Sequence, residues 1–153
     1  MIAADTSTWV AFLEDCLGED VELLHRALQE RQVVMVPAVL TELLSDPKLP
    51  SSVAETLSEI PETDISSGYW QSAGGRRAKI LAKRRKVGLG DALIALSCID
   101  GGVFLLTCDQ DCRAFAEAAG LKLVLGHGTN RDCRVKPGAA RPPNRDAEAA
   151  EQF

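Results

Sequence analysis

Four short apolar runs set among helix-period segments constrain this chain more than any other feature. The apolar start at residues 1–4, VVMV at 33–36, VFLLT at 103–107 and LKLVL at 121–125 are too short for buried helices, and VVMV is β-branched enough to read as a buried strand. Between them, apolar residues fall at helical spacing, as Val21, Leu24, Ala27 and Leu28 do. Strand alternating with helix means a mostly parallel sheet with helices on both faces, a three-layer α/β/α architecture.

Local punctuation sets the expected boundaries. The first strand ends at Asp5, and a helix opens at Thr6 or Ser7, both good N-cap types. Gly18 precedes a helix over roughly 19–31, and Pro37 suits the first turn of one that reaches Leu44 before Asp46-Pro47 stops it. A helix over Ser51–Ser58 follows, then EIPETDI offers at most a short strand. A long helix is expected from Ser66 to about Lys86, weakened by Gly74-Gly75. Gly88 and Gly90 open the next, which runs to Gly101-Gly102, and a last helix spans Gln110 to Ala119 with Gly120 as its cap. From His127 the apolar periodicity fades and Pro137, Pro142 and Pro143 intervene. Residues 1–126 are expected to form one domain and 127–153 a flexible tail.

A chain of 153 residues is long enough for a single core, and its 25% charged content is that of an ordinary globular protein. The N-terminal MIAADTSTWVAFL is interrupted by Asp5 and follows no basic segment, so it fails as a signal peptide or membrane span, and the expected location is the cytoplasm. Five cysteines without C-x-x-C spacing read as reduced thiols rather than as a disulfide or zinc framework. A net charge of −5 argues against simple electrostatic wrapping of nucleic acid. The charge is unevenly spread, however. Residues 76–86 hold seven of the 17 basic residues, while the first 75 carry 13 acids against three bases. The basic run reads either as a solvated helix face or as a polyanion-binding ridge in which Arg76, Arg77, Lys83, Arg84 and Arg85 contact phosphates.

Four acids stand in apolar frames. A buried, unpaired charge costs several kcal/mol, so such acids are either neutralised or line a cleft. In an open parallel sheet the cleft lies outside the carboxyl ends of the strands, where strand order reverses. Asp5 is at the carboxyl end of the first strand and Asp109 just past that of VFLLT. Glu42, flanked by Val39, Leu40, Leu43 and Leu44, belongs on or beside a core-facing stripe, and Asp91 shares the first turn of its helix with a face carrying Ile94 and Ala95. Three of them have a plain structural reading as well: Asp5 as an N-cap, Asp91 as a favourable charge at a helix N-terminus, Asp109 as a turn residue. Brought together, four carboxylates would repel, and a divalent cation relieves that repulsion. Oxygen-only ligation suits Mg²⁺ or Mn²⁺, and metal-activated water is the chemistry of phosphodiester hydrolysis. His25 and His127 are poorly placed for a histidine-pair ribonuclease. No G-x-S-x-G turn, P-loop or strand-linked G-x-G-x-x-G occurs.

The ordered set D-T-S at Asp5–Ser7, T-E-L-L at Thr41–Leu44, G-L-G-D-A-L-I-A-L at 88–96 and L-L-T-C-D-Q-D at 105–111 resembles a PIN domain. Within that family it is most similar to the VapC-type toxins of type II toxin–antitoxin pairs, and the likeness spans residues 1–126. It implies a metal-dependent endoribonuclease using Mg²⁺ or Mn²⁺, usually dimeric and held inactive by a small antitoxin. Carried over residue by residue, Asp5, Glu42, Asp91 and Asp109 are the catalytic metal ligands, with Ser7 and Thr107 as hydroxyls beside them. Asp111 competes with Asp109 for the fourth place. Asp109 is nearer the strand end, which leaves Asp111 as an N-cap or outer group. Cys112 stands where the family commonly has an aromatic residue. Trp9, Phe12 and Leu13 on the first helix are candidate anchors for the antitoxin, or plain core. Three other readings stay open: a nuclease of the same fold that serves RNA maturation or decay without an antitoxin, a binding module that has lost catalysis, and a receiver-type phosphoacceptor, for which the expected lysine is missing.

Overall fold

The computed structural model describes residues 1–108 and 112–124. Three parallel strands, β1 (Ile2–Ala4), β2 (Phe104–Leu106) and β3 (Leu123–Val124), lie in the order β1-β2-β3, with Ala4 opposite Leu106 and Leu105 opposite Leu123. Seven helices accompany them among the described residues: α1 (Thr6–Leu13), α2 (Glu19–Gln29), α3 (Pro37–Leu44), α4 (Ser51–Ser58), α5 (Tyr69–Ala82), α6 (Leu89–Asp100) and α7 (Cys112–Ala119). The fold is α/β, as the alternation of short apolar runs and helix-period segments requires. No helix among the described residues is long and apolar enough to cross a membrane.

The VVMV run does not form the continuous strand its composition suggests. Val33 bridges to Ile2 on one side and Met35 bridges to Glu62 on the other, each in parallel sense. The backbone shows why: Val34 donates to the Ile2 carbonyl at 2.9 Å, while Met35 donates to Pro61 at 2.8 Å and Thr63 returns a bond to Met35 at 2.9 Å. The segment changes neighbours after one residue, so neither ladder propagates. EIPETDI likewise contributes a single bridge, through Glu62.

These bridges fix the topology that matters for function. The chain leaves β1 towards Val33 and Glu62, then crosses back to β2 and β3 on the opposite side, so strand order reverses at β1. Right-handed crossovers running in opposite directions place α1 and α2 on one face and α5, α6 and α7 on the other. The helix contacts follow that division: α1 packs on α2, and α6 packs on α5 and α7. α3 touches both α1 and α6 and so links the two layers. At the centre, Ala3, Leu105 and Leu106 are fully buried with Trp9, Val39, Ala95 and Phe115, each large apolar side chain contributing about 1.5–3 kcal/mol.

α1 opens at Thr6 and is capped by Asp5, whose side chain accepts from the Thr8 N–H, the plain structural reading of that acid. One helix boundary differs from expectation. α5 begins at Tyr69, three residues later than expected, because Gly68 adopts φ 79°, a left-handed conformation that glycine takes without a Cβ clash. The same helix ends at Ala82, and Arg84 has φ 57°. The basic run is therefore not one helix face but a helix end followed by a strap. Burial pushes the Cys98 thiol up to about 12. Asp109, Asp111, Cys133 and the whole expected tail lie outside the described residues.

Candidate functional site

Asp5 occupies the carboxyl end of β1, where the strand order reverses. Its backbone N–H continues the sheet by donating to the Leu106 carbonyl at 3.1 Å, and its carbonyl accepts from Trp9. The side chain is buried, at 6% exposure, which it tolerates because donors surround it. Oδ1 accepts from the Thr8 N–H at 2.7 Å, Oδ2 accepts from the Thr107 hydroxyl at 2.5 Å, and the Ser7 hydroxyl reaches both oxygens at 3.0–3.1 Å. Ser7 and Thr107, the two hydroxyls expected beside the acids, thus both touch Asp5. Thr107 follows β2 and is buried, so Asp5 is gripped from α1 and from the end of β2 at once.

Glu42 stands beside the core-facing stripe of α3 rather than on it. Val39 and Leu43, one helical turn apart, take the buried positions, and Glu42 is exposed. Its carboxylate accepts from the Thr6 hydroxyl, the residue next to Asp5. It also lies against Gly90, the residue before Asp91: a Cβ at position 90 would come within 2.9 Å of Glu42 Oε1. Asp91 is half-buried in the first turn of α6 and accepts from the Gly88 N–H at 3.0 Å, with Ala92, Ile94 and Ala95 buried behind it. Glu42 thus lies between Thr6, next to Asp5, and Gly90, next to Asp91. Thr6 and Gly90 were not predicted; the small residue within G-L-G-D was the available signal for Gly90.

Carboxylate-only donors on adjoining elements suit a hard divalent cation in donor type. No three His, Cys, Asp or Glu side chains among the described residues are close enough to hold one ion. Asp109 and Asp111, the remaining expected acids, lie outside the described residues.

A cavity of about 500 Å³ opens beside the acids between α3 and the first turns of α5 and α6, with Glu42 and Gly90 on its rim. Its wall is apolar and includes Trp70 and Leu89. The basic residues lie further along α5 and in the strap after it. Arg77 is half-buried and its Nε donates to the Val87 carbonyl at 3.1 Å, so it ties the strap to α5. Arg85 pairs with Glu117 at 2.8 Å, both side chains largely exposed. Arg76 lines a separate groove with Lys79, and Lys83 and Arg84 are exposed. Of the candidate partner anchors, Trp9 is core, at 1% exposure, and is corrected on that ground. Phe12 and Leu13 are half-buried and line a groove of about 420 Å³ between α1 and α2, shared with Glu22 and His25.

Sequence reasoning also missed Asp20. It sits in the first turn of α2, is fully buried, and accepts from the Thr8 hydroxyl at 3.2 Å.

No family model and no curated protein matches this sequence. Solved structures do resemble it in fold. A chain of the crystal structure of VapBC2 from Rickettsia felis, bound to a DNA fragment from its promoter, superposes with a TM-score of 0.62 at 23% identity over 81% of this chain and 98% of that one. FitAcB from Neisseria gonorrhoeae gives 0.59 at 18% identity over 80% and 96%. DNA-bound VapBC from Salmonella typhimurium gives 0.57 at 19% identity over 80% and 96%. At these identities the likeness establishes a shared fold.

Proposed function

We propose that this chain is a PIN-domain endoribonuclease that hydrolyses RNA phosphodiester bonds with Mg²⁺ or Mn²⁺, and that it is the toxin of a two-component pair. The observation that carries the reading is the place of Asp5 at the carboxyl end of β1, where an open parallel sheet binds its ligands, with Glu42 bonded to the neighbouring Thr6 and lying against Gly90, the residue before Asp91. The shared fold with structures of VapBC and FitAB-type assemblies supports the toxin assignment.

In this reading Asp5, Glu42, Asp91 and Asp109 hold the cation. Once bound, a divalent ion acidifies water and offsets the negative charge that develops at phosphorus. The chain's own contributions are positional. Thr107, Ser7 and the Thr8 N–H fix the Asp5 carboxylate in one orientation, so ligand geometry is set before substrate arrives. Glu42, the exposed acid, has solvent access to accept a proton from an attacking water. Arg76, Lys83, Arg84 and Arg85 offer phosphate contacts that carry no sequence information.

The proposed inhibitor is a small antitoxin whose helix seats in the groove between α1 and α2, on Phe12 and Leu13, with Glu22 offering a basic side chain its partner. A homodimer is proposed as the working form. The test is RNA cleavage measured with Mg²⁺, with Mn²⁺ and with chelator. Cleavage with either metal and none in chelator is expected; cleavage that persists in chelator, or none under any condition, overturns the reading. The toxin assignment is tested separately by producing the chain alone in bacteria, where unhindered growth would sink it.

A further inference from the structure

Trp70 is 62% exposed, the largest exposure among the large hydrophobic residues described, yet its ring is braced on one side. Tyr69 meets it edge-on, with centroids 5.0 Å apart and planes at 89°. Tyr69 is itself locked, because its hydroxyl donates to the Leu93 carbonyl at 2.8 Å and shares a bond of 2.9 Å with Ser97 on α6. Burial raises the Tyr69 pKa, so the phenol keeps the proton that makes this lock. A large aromatic surface fixed in advance and left open to solvent is the arrangement a flat ligand requires.

Its surroundings identify the ligand. Trp70, Leu89 (59% exposed) and Ile65 (48% exposed) wall the cavity whose rim carries Glu42 and Gly90, so the apolar wall is continuous with the acids. The hydroxyl of Thr41 within it is already committed to the Pro37 carbonyl at 2.8 Å. The wall therefore favours stacking over reading of hydrogen-bonding edges. A cation stands nearby: Arg77 is two helical turns beyond Trp70, on the same side of α5, and its Nε anchors the strap that leads to Leu89. An aromatic ring for stacking and a cation further along for the backbone are the elements of single-stranded nucleic acid binding, and here the ring borders the acids.

We propose that this cavity seats one unstacked base of single-stranded RNA against Trp70, and so aligns the neighbouring phosphate with the acids. The inference rests on the ribonuclease reading and adds a positioning residue: Trp70 as the platform on which a base stacks, with little preference among bases.

The test uses the full chain with Mg²⁺ and two probes that carry the same phosphates, a short single-stranded oligothymidylate and its abasic counterpart. Fluorescence separates the two tryptophans, since Trp9 is buried and the Trp70 signal is the difference between the parent and Trp70→Phe. The oligothymidylate is expected to quench Trp70 and the abasic chain is not. Trp70→Ala should weaken oligothymidylate binding roughly tenfold while Trp70→Phe keeps most of it. Equal quenching by both probes, unchanged affinity in Trp70→Ala, or a Trp70→Ala effect confined to the oligomeric state in light scattering would overturn the proposal, the last by marking a protein interface. Base-dependent quenching without any RNA cleavage would reject the nuclease reading and keep this one; cleavage without base dependence would do the reverse.

Discussion

Thr8 joins two buried aspartates that stand in different settings. Its N–H donates to Asp5 and its hydroxyl to Asp20. Both acids stand at helix N-termini, where the backbone dipole favours negative charge, and both are more deeply buried than Glu42 or Asp91. They differ in topology. Asp5 closes β1 where strand order reverses and is met by Thr107 from the end of β2, whereas Asp20 is enclosed in the packing of α2 on α1. Burial of an acid therefore shows only that its surroundings have been built to receive it. Which buried acid faces a crevice is decided by the sheet.

That contrast can be broken most directly at Asp5. Asn caps a helix about as well as Asp, so Asp5→Asn should fold, yet removing a charged ligand should lower RNA cleavage by at least about a hundredfold. A thermal melt beside a cleavage assay checks it, and parental cleavage by the variant would erase the distinction drawn above. Asp20→Ala should show the opposite pattern: a loss of about 1–3 kcal/mol in stability from the buried bond to Thr8, with cleavage unchanged well below the melting temperature. Denaturant titration measures the first and initial rates the second; a variant that is fully stable but inactive would move Asp20 into the site. Gly90→Ala sharpens the comparison, since its Cβ would crowd Glu42 Oε1 while the fold keeps its helix. We expect cleavage to fall by roughly tenfold as Glu42 is displaced, with the melting temperature held or slightly raised. The smallest effect is expected at Arg85→Ala. Its exposed pair with Glu117 contributes at most about 1 kcal/mol, and loss of one phosphate contact should flatten the salt dependence of RNA binding by about one unit of slope. An unchanged slope would assign Arg85 to Glu117 alone.

Much of this was legible in the chain. Pro37 and Gly88 announced α3 and α6 through local chemistry, because the fixed proline φ and a glycine's breaking of the preceding helix act within a few residues. The split of VVMV between Ile2 and Glu62 was not, since a strand's pairing is decided by distant partners. Nor does anything in KRRK indicate that Arg84 turns left-handed and ends the basic helix early. In the candidate site, Asp5 could be placed from its strand end alone. The bond from Thr6 to Glu42 spans 36 residues and could not. Asp20 escaped notice because E-D-V-E reads as an ordinary solvated helix start; only the packing of α1 encloses it.

The one-residue bridge between Met35 and Glu62 has a consequence for how the molecule behaves in crowded solution. Growth of one chain's sheet onto another's needs a row of free backbone groups along which a stranger can zip. At this margin the described ladder is a single bridge wide, and Pro61 beside it has no N–H to offer. An intruding strand would find a carbonyl or two and then nothing to continue on, so this side of the sheet gives cross-β assembly no template.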